Sequence, residues 1–175
     1  MCRNSPSLLC RNTTGLEENL SWIQEELALD DDEVAKVLSG YPSLLCSSIE
    51  TKVGPQLRYL KNRFQLTDAE LKELVLKYPS VIIYSPATNI EPKIQFYSNL
   101  VGEKNALCYV KNRMALLTNP SLKTRLNPRL AEVKELGLKV RWDEVTVGRL
   151  ATRSDGVWNR LKLDDNKRGR RRSSN

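Results

Sequence analysis

Prolines recur at a fixed spacing along this chain. Pro42 and Pro79 are 37 residues apart, and Pro55 and Pro92 are separated by the same interval. Pro128 follows Pro92 after 36 residues. A period of this length is typical of repeat proteins, in which each repeat is one supersecondary element that packs against its neighbours. The spacing therefore predicts a repetitive architecture before any other feature is considered.

Each repeat opens with a segment in which apolar residues recur at i, i+3 and i+4, the pattern of an amphipathic helix. These residues are Val34, Val37 and Leu38 in one repeat and Leu71, Leu74 and Val75 in the next. The following repeat keeps Leu107 and Val110 but has Lys111 in third place, and Ala115 stands where a proline is expected. The first helix of each repeat is thus predicted from Asp30 and from Thr67 onward, with "TDAE" forming a capping box.

A short segment and a second helix complete each repeat. Six residues after its first proline, or after Ala115, stands a good N-cap, namely Asn12, Ser48, Ser85 or Ser121. The residues before that cap are expected to form one turn of 3₁₀ or α-helix, here called the middle helix, although "SVIIYS" is a candidate strand. The second helix follows the cap. Its proline either occupies the first helical position or kinks the helix.

These features predict an all-α helical-repeat solenoid, a superhelix of about 37-residue repeats that each contain a helix, a short helix and a helix. The predicted organisation is the end of a truncated first repeat at 1–29, repeats at 30–66 and 67–102, a degraded repeat at 103–140, an incomplete terminal repeat at 141–163, and a disordered basic tail at 164–175.

The residue inventory excludes several kinds of chemistry. Histidine is absent and the four cysteines form no C-x-x-C pair, so a Cys/His zinc site and a histidine-based triad are excluded. A glycine-rich phosphate loop and a nucleophile elbow are also missing from the sequence. We therefore expect no enzymatic activity, no catalytic residues, no metal and no cofactor. No segment approaches the roughly 20 apolar residues of a membrane span.

Charge is distributed unevenly along the chain. The net charge is −6 over residues 1–50, +3 over 51–100, +5 over 101–150 and +5 over 151–175. The isoelectric point is near 9.3. Clustered Lys and Arg at such a value are the electrostatic pattern of proteins that bind polyanions.

Three segments resemble a known family. They are "VAKVLSGYPSLLCSSIETKVGPQLRYL", "LKELVLKYPSVIIYSPATNIEPKIQF" and "TRLNPRLAEVKELGL". Their proline-led middle helix, cap and apolar-x-Pro-x-apolar motif resemble the mTERF family, the mitochondrial transcription termination factors and their plastid relatives. The resemblance covers about residues 5–163. It implies an all-α superhelix whose basic concave groove binds nucleic acid in mitochondria or chloroplasts. Because the chain opens within a repeat, we expect it to be part of a longer protein.

Basic residues near the helices of successive repeats are the candidate phosphate ligands, since repeat spacing suits the regular charge of a polymer. The predicted nucleic-acid-binding residues are Arg58, Lys61, Arg63, Lys93, Lys111, Arg113, Lys123, Arg125, Arg129, Arg141, Arg149, Arg153 and Arg160. Each could instead belong to a solvated helix face.

The predicted function is regulation of organellar transcription, by termination or initiation, or of RNA and ribosome maturation. The expected partners are double-stranded DNA or RNA and other organellar gene-expression proteins, with the chain itself a monomer. The alternative is a protein-binding α-solenoid scaffold without nucleic-acid activity. The effect of salt on affinity distinguishes nucleic-acid binding from the scaffold function. Binding to phosphates weakens steeply with added salt, whereas binding through apolar anchors does not.

Overall fold

Helices account for every regular element of the described chain. The structure, a computed structural model, describes residues 13–118, 120–138 and 140–158, and no strand occurs within these ranges. The candidate strand "SVIIYS" is a 3₁₀ helix over most of its length. The predicted all-α class is confirmed for these residues, whereas the superhelical arrangement and the repeat boundaries stay predictions. Asn12, Arg160 and the basic tail lie outside the described residues.

The chain divides into two compact bodies, Met1–Ile90 and Glu91–Asn175. The elements of the first body are α1 (Thr13–Glu26), α2 (Asp31–Gly40), a 3₁₀ helix (Pro42–Cys46), a π-helical turn (Ile49–Val53), α3 (Gly54–Phe64), α4 (Asp68–Lys77), a second 3₁₀ helix (Pro79–Ile83) and a second π-helical turn (Pro86–Ile90).

The second body continues the same sequence of elements. Its members are α5 (Glu91–Val101), α6 (Glu103–Asn112), the short α7 (Ala115–Thr118), a π-helical turn (Leu122–Leu126), α8 (Asn127–Glu135), α9 (Glu144–Thr152) and a helical turn at 155–158.

The first helices begin where the sequence predicts. The Thr67 side chain accepts a hydrogen bond from the Glu70 backbone N–H, and the Glu70 carboxylate accepts one from the Thr67 N–H in return. Asp30 and Glu33 form the same reciprocal capping box at the start of α2. Two otherwise unpaired backbone donors are satisfied at each helix start, so both boundaries are set locally.

The sequence leaves open whether the second-helix proline begins the α-helix or kinks it. The structure places this proline in the first turn of the α-helix. Ser48 caps a π-helical turn, in which the Gly54 N–H bonds to the Ile49 carbonyl five residues back. The α-helix then begins at Gly54, with Pro55 as its second residue. Proline lacks an N–H and its ring collides with the carbonyl four residues back, so the wider turn before it removes both conflicts.

The same arrangement of a serine cap, a π-helical turn and a proline occurs three times within the described residues. Ser85 and Ser121 accept hydrogen bonds from the backbone N–H groups of Thr88 and Thr124, as Ser48 does from Thr51. A π-helical turn follows each cap, and the proline is again the second residue of the α-helix in α5 and α8. The predicted caps Ser48, Ser85 and Ser121 are confirmed.

Each described middle helix contributes at least one fully buried apolar residue to the core. Leu44, Val81 and Leu116 are fully buried within them. The prediction that Ala115 replaces the marker proline is wrong by one residue. Tyr41, Tyr78 and Arg113 precede the middle helices with φ/ψ of −148°/78°, −136°/67° and −144°/75°, so Met114 occupies the place of Pro42 and Pro79.

This shift also corrects the apolar stripe of α6. Ala106 and Val110 are its fully buried members, Tyr109 is half-buried between them, and Lys111 is exposed. The third repeat therefore has no cation within its stripe. One extra residue lies between Met114 and Ser121, and the middle helix α7 takes it up by winding as α-helix rather than as the tighter 3₁₀ helix.

A residue with positive φ follows each second helix. Ala28, Gln65, Gly102 and Gly137 have φ of 47°, 50°, 82° and 61°. They are separated by 37, 37 and 35 residues, which follows the proline period. This conformation ends a helix by turning the chain away from its axis, and glycine adopts it without steric cost.

Candidate nucleic-acid interface

The predicted phosphate ligands differ in their exposure to solvent. Arg58, Lys111, Arg113, Lys123, Arg141, Arg149 and Arg153 are exposed, and Lys61, Arg63 and Arg125 are half-buried. Lys93 and Arg129 are buried, with 6% and 4% of their surface exposed. A phosphate can approach the first two groups, whereas the last two residues are enclosed by protein.

In the first body, the candidate cations lie on α3. The Lys61 ammonium forms an ion pair with the exposed carboxylate of Asp68. Exposed pairs of this kind contribute little to stability, so the pairing would yield readily to a phosphate. The Arg58 guanidinium lies over Gly54, with Nη1 3.6 Å from the point that a Cβ there would occupy.

In the second body, Arg113 reaches across to α9. Its Nη1 lies 2.5 Å from the position that a Cβ on Gly148 would take, so the absence of a side chain at 148 leaves room for the guanidinium. Gly148 is buried, whereas the next residue, Arg149, is exposed. This contact places the end of α6 and the middle of α9 side by side, and each of them carries an exposed arginine.

Lys123 and Arg125 belong to the π-helical turn before α8. Lys123 is exposed, and Arg125 is close enough to Asp155 to contribute to its electrostatic environment. The pKa of the Asp155 carboxyl is lowered first by a hydrogen bond from Arg129, then by the charges of Arg129 and Arg125. Asp155 is therefore ionised at neutral pH and offsets part of the positive potential around Arg125.

Lys93 is a structural cation. Its ammonium donates a hydrogen bond to the carbonyl of Leu117 at the end of α7. Tyr97, one turn further along α5, donates its hydroxyl to the neighbouring carbonyl of Leu116 at 2.9 Å. Burial lowers the pKa of Lys93 because it disfavours the charged form. Since the side chain is enclosed, we leave Lys93 out of the proposed interface.

Arg129 is also directed inward. Nη1 donates to the carbonyl of Leu150 at 2.7 Å, and Nη2 donates to the carbonyl of Arg153 at 2.8 Å and to the carboxylate of Asp155 at 2.6 Å. The guanidinium also lies over the Trp158 ring, 5.3 Å from its centroid. These partners occupy both terminal nitrogens, so Arg129 too is left out of the interface. Sequence reasoning missed this because charge alone does not distinguish a buried cation from an exposed one.

The aromatic side chains are buried or half-buried. All Trp, Tyr and Phe residues lie within the described ranges, and none of them is exposed. Tyr41 and Tyr78, which precede the first prolines of their repeats, are half-buried. Binding to unpaired bases commonly uses stacking on exposed rings. None of these rings is therefore a fully exposed stacking platform.

Among the described helices, none is both long enough and apolar enough to cross a bilayer.

The comparisons with known proteins agree with the repeat pattern. No curated protein matches the chain. The sequence model of the mTERF family matches residues 1–157, which is most of the chain and includes every described helix up to α9. With its all-α structure and its recurring proline-led middle helices, this protein belongs to the mTERF family.

Proposed function

We propose that this protein binds DNA or RNA in a mitochondrion or chloroplast and thereby regulates transcription, by termination or initiation, or RNA and ribosome maturation. Membership of the mTERF family supports the general role. The observation that carries the proposal is the set of exposed cations in the second body. These are Lys111, Arg113, Lys123, Arg141, Arg149 and Arg153.

The proposed mechanism is neutralisation of phosphates. Each exposed Lys or Arg that contacts a phosphate releases condensed counterions, which makes affinity depend strongly on salt. Backbone contacts place a protein on its nucleic acid, while contacts with base edges supply sequence selectivity. The exposed cations and the lack of fully exposed aromatic rings favour the first kind of contact, so we expect modest discrimination between sequences.

A salt titration tests this proposal. Binding to duplex DNA, single-stranded DNA and structured RNA is measured by fluorescence anisotropy over a range of salt concentrations. We expect log Kobs to fall linearly with log[salt], and Lys123→Gln to reduce the slope by about 0.9 on duplex DNA, the value of one phosphate contact. Lys104→Gln is the matched control, because Lys104 is an exposed lysine of the same body outside the predicted set.

The acidic surface of the first body favours a second candidate function. Glu17, Glu18, Glu25 and Glu26 are exposed on α1, and Asp31 and Asp32 are exposed at the start of α2. A scaffold that binds a basic protein would use this surface. If none of the three nucleic acids binds with a salt-dependent affinity, the phosphate-binding proposal is rejected and the scaffold function is favoured.

A further inference from the structure

Four donor side chains occupy one position of the repeat. Asn19, Gln56, Lys93 and Arg129 are separated by 37, 37 and 36 residues, and the last three each follow the second-helix proline. All four side chains carry N–H donors, although they differ in length and charge. We call this position the staple position, for the contacts that its residues make.

Each residue at the staple position donates to a backbone carbonyl that lies in the following repeat. Asn19 Nδ2 donates to Leu45 at 2.7 Å, and Gln56 Nε2 donates to Val81 at 3.2 Å. Lys93 donates to Leu117, and Arg129 donates to Leu150 and Arg153. The first three acceptors lie in the middle helices, and those of Arg129 lie at the end of α9.

The acceptors explain why a donor is favourable at this position, although the Val81 carbonyl also accepts a hydrogen bond from the Tyr84 backbone N–H at 3.3 Å. The last carbonyls of a helix have no partner within that helix, and a buried carbonyl without a donor is destabilising. A short middle helix consists almost entirely of such ends. Lys93 and Arg129 add a positive charge at the C-terminal end of a helix, where the helix dipole favours a cation.

Among the four residues at the staple position, Arg129 makes the most contacts with the helix end that it binds. Its two terminal nitrogens contact the Leu150 and Arg153 carbonyls and the Asp155 carboxylate, while its guanidinium covers Trp158. Trp158 Nε1 in turn donates to Glu132 on α8 at 2.8 Å. The end of α9 is thereby fixed to α8 by contacts on both sides of the arginine.

We propose that Arg129 is a positioning residue for the nucleic-acid surface. It holds the C-terminal end of α9, and through it sets the location of the exposed Arg149 and Arg153, without contacting phosphate itself. The role of Arg149 and Arg153 as phosphate ligands rests on the proposed function. The attachment of α9 by Arg129 does not rest on the proposed function, and it is tested separately.

Three variants test the proposal. Arg129→Met removes the donors and retains an apolar stem, Arg129→Lys retains the charge but loses the fork that joins two carbonyls, and Arg149→Gln removes an exposed cation. Each is studied by thermal unfolding, by hydrogen exchange of the amides in residues 144–158, and by salt-titrated binding to duplex DNA. Binding is measured at a temperature at which circular dichroism shows every variant to be folded.

For Arg129→Met, we expect a Tm loss on the order of 6–12 °C and faster exchange at the end of α9. Its affinity should fall about tenfold, the equivalent of one misplaced charge-assisted contact, and the salt slope should fall by up to about 0.9, because a displaced Arg149 or Arg153 no longer releases counterions. Arg129→Lys should recover part of both losses. Arg149→Gln should keep the Tm and reduce the salt slope by about 0.9.

Each contrary result overturns a defined part of the proposal. Unchanged Tm and exchange in Arg129→Met would reject the attachment of α9. A lower Tm with unchanged affinity would reject positioning and leave a purely structural role. A lower affinity and a slope reduced by about 0.9 in Arg129→Met, with Tm and exchange unchanged, would show direct contact with phosphate. Absence of binding by the wild-type protein would reject the proposed function, while hydrogen exchange still decides whether Arg129 holds α9.

Discussion

Replacing Ala28 with glycine should stabilise the protein, although glycine usually has the opposite effect. Ala28 has φ of 47° and follows α1 at the position where the later repeats have Gly102 and Gly137. Its side chain is exposed, so the substitution removes no core packing. Its carbonyl accepts a hydrogen bond from Lys72 at 2.7 Å, and glycine retains that acceptor.

The magnitude follows from two opposing terms. The left-handed conformation costs a residue with a Cβ about 1–2 kcal/mol, and glycine avoids this cost. Glycine also has more freedom in the unfolded chain, which costs about 0.5–1 kcal/mol on folding. The difference predicts that Ala28→Gly raises the free energy of unfolding by about 0–1.5 kcal/mol, with a central value of about 0.75 kcal/mol.

Urea unfolding followed by circular dichroism measures this change. The control is Ala35→Gly, since Ala35 is an exposed alanine inside α2 where the backbone is helical. That control should lose about 1 kcal/mol, as glycine does in helix interiors. If Ala28→Gly is destabilised to the same extent as Ala35→Gly, the left-handed conformation at residue 28 is refuted.

Three further predictions concern the second body. Lys93→Met should lower the free energy of unfolding by about 1–3 kcal/mol, because the Leu117 carbonyl loses its donor, and should leave the salt slope of binding unchanged; a reduced slope would show that Lys93 contacts phosphate. Gly148→Ala should displace the flexible end of Arg113 and weaken duplex binding without lowering Tm, whereas unchanged affinity would remove Arg113 from the interface. Burial raises the pKa of the Tyr97 phenol above its unfolded value of 10.0. The neutral phenol therefore contributes fully to stability below pH 10. Above pH 10 the free energy of unfolding falls by up to about 1.4 kcal/mol per pH unit. Urea unfolding between pH 8 and 11 should show that Tyr97→Phe lacks this loss, and equal pH profiles would contradict the prediction.

Local sequence determines the elements of this protein. The capping box at Thr67, the caps at Ser48 and Ser121 and the apolar stripe of α4 depend on residues within one or two turns of each other. Such short-range patterns are visible without coordinates. The place of the marker proline in the third repeat is Met114 and not the predicted Ala115, an error of one residue that arises because the proline that marks the other repeats is missing there.

Tertiary structure alone decides which basic residues are available to a ligand. Arg125 and Arg129 lie one turn apart in the sequence, yet Arg125 is half-buried at the surface and Arg129 is enclosed. The carbonyls that Arg129 binds belong to Leu150 and Arg153, 21 and 24 residues further along the chain. A charged side chain is stable inside a protein only where folding brings partners to it, and partners so distant in sequence leave no local pattern.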